Sequence, residues 1–250
     1  MKTKIEQLRS WIAESKRMVF FGGAGVSTES GIPDFRSVDG LYHQKFDYPP
    51  ETIISHSFFL NNPEYFYRFY REKMLPLGFE PNVTHRVLAR LEQEGHLAAV
   101  VTQNIDDLHE RAGSTHVTHL HGELRKLRSS ADESLVVPIE GWEQHLDDRA
   151  PDGSLLRPFV VFFGEGVPMF DRAARIAATA DLLIVVGTSL AVYPAASLVR
   201  YIRPDVPVYL IDPNEPDMSG IRNPTELIRM NSAQGTPLLV DRLIGEFGNL

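Results

Sequence analysis

Several short stretches of this chain place hydrogen-bonding or titratable side chains directly after an apolar run. Residues 18–21, MVFF, are followed by Gly22, Gly23, Ala24 and Gly25, then by the hydroxyls of Ser27, Thr28 and Ser30. Residues without a Cβ let backbone N–H groups come close to a phosphate, and hydroxyls where a helix begins serve as caps or as further phosphate donors. A Gly-rich turn between strand and helix is the usual diphosphate cradle of a doubly wound α/β domain. Asp34, Phe35 and Arg36 add a carboxylate, a ring and a guanidinium just beyond, in a turn stiffened by Pro33. By spacing alone the run lacks the third glycine of a dehydrogenase fingerprint, and no acidic residue closes a second strand about 20 positions later. A tight turn in any α/β protein fits that spacing equally well.

Three further stretches repeat the arrangement. Gln103, Asn104 and Asp106 follow the apolar run 97–102, at the carboxyl end of a predicted strand, where open α/β sheets place ligand contacts. Helix capping is the alternative use of Asn104 or Asp106 taken singly. His116, His119 and His121 come next, with Glu123 as the carboxylate at ligand spacing. Strand alternation puts His119 and His121 on one face, and a strand ending in a general base at His121 is favoured over a metal cluster. An imidazole titrates near neutrality, so it can take a hydroxyl proton and release it later. Gly187, Thr188 and Ser189 follow the predicted strand 181–186 and offer a second phosphate or ribose contact. Asp212 and Asn214 follow the strand 208–211, and a carboxylate at Asp212 would accept from both hydroxyls of a ribose while repelling a 2′-phosphate.

The elements that position these groups read as an α/β fold, a doubly wound parallel sheet with a smaller lobe. Of 250 residues 43% are hydrophobic, enough for one large core with an appendage. Residues 1–17 have helical spacing at Ile5, Leu8, Trp11 and Ile12 and lack a signal-peptide centre, and no apolar run approaches the ~20 residues of a membrane span. A cytoplasmic protein is expected, with no membrane association. The net charge of −8 disfavours nucleic acid as the main partner. The absence of cysteine excludes disulfides and thiolate-ligated zinc. Residues 41–77 are rich in aromatics and read as the core of a small helical module, with boundaries at Pro49-Pro50 and Asn61-Asn62-Pro63. Residues 81–95 form a helix closed by Gly95.

Taken together, GAGVSTESGIPDFR at 23–36, TQNIDDLHERAG at 102–113, the HG dipeptide at His121-Gly122, VVFFGE at 160–165 and GTSL at 187–190 resemble the sirtuin (Sir2-like) family of NAD-dependent protein deacylases. The resemblance implies a Rossmann-like NAD-binding domain from residues 1–38, 82–122 and 158–250, and a small lobe from 39–81 and 123–157. It implies NAD as cofactor, held by Gly23, Ala24, Gly25, Ser27, Asp34, Phe35, Arg36, Gln103, Asn104, Asp106, Gly187, Thr188, Ser189, Asp212 and Asn214. Asn104 would orient the nicotinamide ribose, Asp106 would meet the carboxamide, and His121 would be the general base. Acyl-lysine proteins or peptides would be the substrates, with the Val161 carbonyl holding the acyl-lysine amide, Phe163 lining the tunnel, and residues 160–165 adding to the peptide as a strand. The products would be nicotinamide, free lysine and 2′-O-acyl-ADP-ribose. A monomer is expected.

The chain departs from the family in two places. Where sirtuins carry two Cys-x-x-Cys pairs around a structural zinc, it has Ser129, Asp132, Arg149 and Asp152, which do not make a tetrahedral zinc site, so no metal is expected. Pairing of Arg149 with Asp132 or Asp152, and a small core from Leu135, Val136, Val137, Ile139 and Trp142, are expected to substitute for it. Members that prefer acidic acyl groups carry Tyr-x-x-Arg; here Tyr70 is followed by Lys73, a charge without the bidentate fork. The alternatives are a protein ADP-ribosyltransferase using the same cradle and a non-catalytic NAD or ADP-ribose binding module. A dehydrogenase is disfavoured by the missing third glycine.

Overall fold

A computed structural model describes residues 2–34, 40, 45–75, 78–139 and 144–240 of the chain. Phe35, Arg36 and Trp142 lie outside the described residues.

The frame is a six-stranded, all-parallel sheet. Helix α1 (Lys2–Glu14) precedes β1 (Met18–Gly22). Then come β2 (Leu97–Thr102), β3 (Val117–His119), β7 (Leu182–Val186), β8 (Val208–Ile211) and β9 (Thr225–Ile228), in the spatial order β3-β2-β1-β7-β8-β9. The chain leaves β1 toward β2 and β3, then returns to β7 on the other side, so the strand order reverses between β1 and β7. Open sheets bind ligands outside the carboxyl ends of strands at such a switch point. All residues of β1 and of β7 are buried, because helices cover both faces. On one face Phe20, Val100 and Ile184 pack against Leu8 and Ile12 of α1 and against Val87, Leu88 and Leu91 of α5 (Val83–Gln93). On the other, Val19, Phe21 and Val185 meet Ala173 and Ala177 of α7 (Phe170–Ala178) and Leu198. Asn82 caps α5 by accepting from the Thr84 N–H at 2.9 Å, and Gly95 closes it at φ +80°. Among the described residues no helix is long and apolar enough to cross a membrane.

The second unit joins three short helices, α2 (Pro50–Ile53), α3 (His56–Asn61) and α4 (Pro63–Phe69), to an antiparallel sheet of β4 (Gly122–Ser129), β5 (Val136–Pro138) and β6 (Leu156–Val160) in the order β5-β4-β6. Phe58, Phe66, Tyr67, Phe69 and Tyr70 form its core with Phe162. In the sheet register Arg128 lies opposite Arg157, a like-charge pair that alone would destabilise it. The Glu165 carboxylate resolves the conflict, accepting from Arg157 at 2.6 and 3.1 Å, from Arg128 at 3.1 Å and from the Phe162 N–H at 2.9 Å.

Three expectations are corrected here. Among the described residues no α-helix follows the Gly-rich loop directly; 3₁₀ turns span Ala24–Val26 and Thr28–Ser30. The carbonyls an α-helix would use are taken by side chains: Val26 O by Asn82 Nδ2 at 2.7 Å, and Gly25 O by Thr28 and Ser232 hydroxyls at 3.1 and 3.0 Å. The strand expected to run through His121 stops at His119, and Leu120 and His121 form a turn. Gly122 makes that turn possible: it has φ +85°, and a Cβ there would lie 1.9 Å from the Phe159 carbonyl oxygen. Arg149 pairs with neither aspartate. It donates to the Gly153 carbonyl at 2.8 Å, because Asp152 is already occupied by Ser129 and Ser154 and Asp132 by Ser134. The Ser129 hydroxyl accepts from the N–H groups of Ala131 and Asp132 and lies 2.6 Å from the Ser154 hydroxyl, so hydrogen bonds tie the two turns together. Leu127, Ala150 and Leu156, with Leu135, Val137 and Ile139, form the small core beneath them.

Candidate active site

A cleft of about 690 Å³ opens at the switch point between β1 and β7. Its floor is two glycine loops in backbone contact. Gly23 N–H donates to Val186 O at 3.1 Å and Gly25 N–H to Gly187 O at 2.9 Å. A Cβ at Gly25 would sit 2.8 Å from Gly187 Cα, and one at Gly187, where φ is +62°, 2.6 Å from the Gly25 carbonyl carbon. The glycines are therefore required by the approach of one loop to the other, which presents both backbones to the cleft.

Above this floor the 103–106 loop is fixed by side chains. Gln103 Nε2 donates to Thr188 Oγ1 at 2.8 Å. Asn104 Nδ2 donates to Ser27 Oγ at 2.9 Å, and Ser27 Oγ donates to Asp106 Oδ2 at 2.9 Å, while the Leu108 N–H reaches Asp106 Oδ1 at 3.1 Å. Ser27 thus spends its single proton on Asp106; in this arrangement it is a link between Asn104 and Asp106 rather than a helix cap. Burial raises the Asp106 carboxyl above its ordinary value, against the Leu108 and Ser27 hydrogen bonds.

His121 faces the same cleft. Its Nδ1 lies 3.0 Å from the Gln103 carbonyl oxygen. A carbonyl only accepts, so Nδ1 carries the proton and Nε2 is left as the basic nitrogen. Burial lowers the pKa of the ring, and the Gln103 carbonyl only partly opposes that. On the far wall, Val161 N–H donates to the His121 carbonyl at 2.8 Å, and Phe163 exchanges backbone hydrogen bonds with Ile54 and His56 at 3.0 Å each. Val161 and Phe163 both line the cleft. The strand expected over 160–165 ends at Val160, and beyond it the wall segment is held by an isolated bridge at Phe163 to the chain's own residue Ser55, so one of its edges is already occupied there.

The model of the Sir2 family matches residues 23–194. The chain belongs to the Sir2 family. It is 47% identical over 209 residues to the NAD-dependent protein deacetylase of Clostridium acetobutylicum, covering 80% of this chain and 84% of that one. It is 42% identical over 236 residues to the NAD-dependent protein deacylase of Bacteroides thetaiotaomicron, covering 92% and 98%. Among solved structures, a Sir2 homologue mutant in complex with ADP-ribose superposes with a TM-score of 0.85 at 40% identity over 94% of each chain.

In this Sir2 family member the expected cofactor residues Gly23, Ala24, Gly25, Ser27, Asp34, Gln103, Asn104, Asp106, Gly187, Thr188, Ser189, Asp212 and Asn214 all line the one cleft with His121. Asp212 accepts from the Asn214 N–H at 2.9 Å, and burial, then the neighbouring Asp34, raise its carboxyl. Tyr70 is different. It is 1% exposed, stacks on Phe66 at 5.9 Å between centroids and does not line the cleft; Lys73 and Met74 do. Residues Tyr70–Met74 form a π-helical turn, whose extra residue rotates the helix away from the phase an α-helix would keep. Sequence reasoning missed Ser232 and Asn82, which hold the Gly-rich loop from distant helices, and the Glu165 cluster behind Phe162. The side-chain types were visible; their distant partners left no local signal.

Proposed function

We propose that this Sir2 family chain is an NAD-dependent protein-lysine deacylase, acting on acetyl-lysine in proteins and releasing nicotinamide and 2′-O-acetyl-ADP-ribose. The observation that carries the reading is the meeting, in one cleft, of the glycine floor, the Asn104–Ser27–Asp106 chain and a histidine whose basic nitrogen is Nε2. The donor set fits NAD: backbone loops at a sheet switch point for the diphosphate, and amides, hydroxyls and carboxylates for the riboses and the carboxamide. Gly23, Ala24, Gly25, Thr188 and Ser189 would hold the diphosphate side, Asp212 and Asn214 the adenosine ribose, and Gln103, Asn104 and Asp106 the nicotinamide end. Bound there, NAD would supply an electrophilic ribose C1′ with nicotinamide as the leaving group, and the neighbouring 2′-hydroxyl to which the acyl group is finally transferred.

The chain's own residues then have defined tasks. Asn104 is held by the Ser27 hydroxyl so that its amide presents a fixed dipole to the cleft. His121 accepts a hydroxyl proton at Nε2 and returns it, with the Gln103 carbonyl stabilising the imidazolium that forms. Val161 and Phe163 align the acyl-lysine, and Glu165 holds the segment behind them. The reading takes the enzyme as a cytoplasmic monomer, and the charge of −8 speaks against nucleic acid as a main partner. The test is loss of the acetyl group from an acetyl-lysine peptide that depends on NAD and on His121. NAD consumption with the peptide still acetylated would turn the reading to ADP-ribosyl transfer, and no turnover with any acyl peptide to a binding module.

A further inference from the structure

Three consecutive carbonyls of the loop carrying Asn104 are taken by the segment that runs from the end of β3 into β4. Gln103 O accepts from His121, Asn104 O from His119 Nδ1 at 2.8 Å, and Ile105 O from the Leu124 N–H at 2.9 Å. His119 alone of these donors has a second strong contact: its Nε2 lies 2.7 Å from Glu110 of α6 (Leu108–Arg111), the short helix that continues the same loop. A carbonyl and a carboxylate only accept, so both ring nitrogens donate and the ring is an imidazolium. Its side chain is 5% exposed, whereas that of Glu110 is 41% exposed. The rest of Asn104 is also fixed, its N–H on Thr102 Oγ1 at 3.0 Å and its amide on Ser27.

We propose that His119, through its charge-assisted pair with Glu110, is a positioning residue that sets the placement of Asn104 in the cofactor cleft. The inference rests on the deacylase reading, since Asn104 matters to catalysis only within it. The charged and titratable groups around the ring are Glu110 and His109 on α6, Asp106 in the loop, Glu123 and Lys126 on β4, and Arg172 across an adjoining cleft. Burial lowers the pKa of His119, but the Glu110 hydrogen bond and charge, the Asn104 carbonyl and Glu123 outweigh it and leave it above the ordinary 6.5. The positioning charge therefore persists above the ordinary 6.5 and is lost as pH rises through the raised value.

The experiment combines nitrogen NMR of the histidines in the full chain with steady-state kinetics on NAD and an acetyl-lysine peptide. Glu110→Gln keeps the shape of a half-exposed side chain, and Glu110→Asp is the conservative control. Expected are a doubly protonated His119 at pH 7 in the wild type and a neutral ring in Glu110→Gln. In that variant kcat falls about tenfold at unchanged peptide KM, with the chain still folded by circular dichroism. The alkaline limb of its kcat profile moves to lower pH, and Glu110→Asp recovers most of the rate. A wild-type ring carrying one proton at pH 7, or a Glu110→Gln enzyme with unchanged kcat and alkaline limb, overturns the inference while leaving the deacylase reading in place. A wild-type chain without NAD-dependent deacylation overturns both.

Discussion

The Nδ1 atom of His121 lies 3.0 Å from the carbonyl oxygen of Gln103, so the residue expected to act as base is anchored by the residue that also bonds Thr188 across the cleft. One contact therefore sets both the tautomer of the base and its register with the glycine floor. Because burial lowers the pKa of His121, the neutral, basic form persists below the ordinary 6.5 and is lost only as pH falls through the lowered value. The acid limb of kcat/KM is expected below pH 6.5, and His121→Ala is expected to lose about 10²–10⁴-fold in kcat. A limb at or above 6.5 would contradict the assignment.

The contact between the two glycine loops leaves no room for a methyl group. Gly25→Ala would place a carbon 2.8 Å from Gly187 Cα, backbone against backbone, so the loops must part. A stability loss of about 1–3 kcal/mol is expected in urea unfolding, together with loss of measurable ADP-ribose binding by calorimetry. Wild-type affinity in that variant would mean that the cradle lies elsewhere.

In the small lobe Ser129 donates to Asp152, lies 2.6 Å from the Ser154 hydroxyl and accepts from the N–H groups of Ala131 and Asp132, at positions where the sirtuin resemblance implied zinc ligands. Ser129 is 1% exposed, but its partners Ala131, Asp132 and Asp152 are exposed residues that water can satisfy, so Ser129→Ala should cost about 0.5–1.5 kcal/mol through the lost ties between the two turns. A chelator should leave the wild-type melting temperature unchanged. A chelator-induced drop would show that a metal holds this lobe.

Burial pushes the Glu165 carboxyl up, but Arg157, the Phe162 N–H and His56 outweigh it and hold it at about 2. Its folded value lies below the ordinary 4.5, so its contribution is full above that value and is lost as pH falls toward about 2. Acid unfolding of Glu165→Gln should accordingly show a shallower loss of stability between pH 4.5 and 2 than the wild type. Parallel acid titrations of the two proteins would refute the role of the cluster.

Much of this was legible before the fold was known, for a physical reason. Strands buried on both faces must be continuous apolar runs, so residues 18–21, 97–102 and 182–186 announced themselves, and the polar residues just beyond them had to stand at the carboxyl ends of a parallel sheet. What stayed hidden depends on contacts far along the chain. The 3₁₀ turns after Gly23 arise because Asn82 and Ser232, 56 and 207 positions from their acceptors, take the carbonyls an α-helix would use. The turn at His121 follows from the crowding of Gly122 against Phe159, and the burial of Tyr70 from a π-helical turn; alternation and helical periodicity carry neither.

The most direct test of the central claim is the identity of the acylated product. Purified chain would be incubated with NAD and an acetyl-lysine peptide, with and without chelator, beside His121→Ala, and the products weighed by mass spectrometry. The account predicts nicotinamide, deacetylated peptide and O-acetyl-ADP-ribose in equal amounts, insensitive to chelator and abolished in the variant. Free acetate without O-acetyl-ADP-ribose, or undiminished product from His121→Ala, would contradict it.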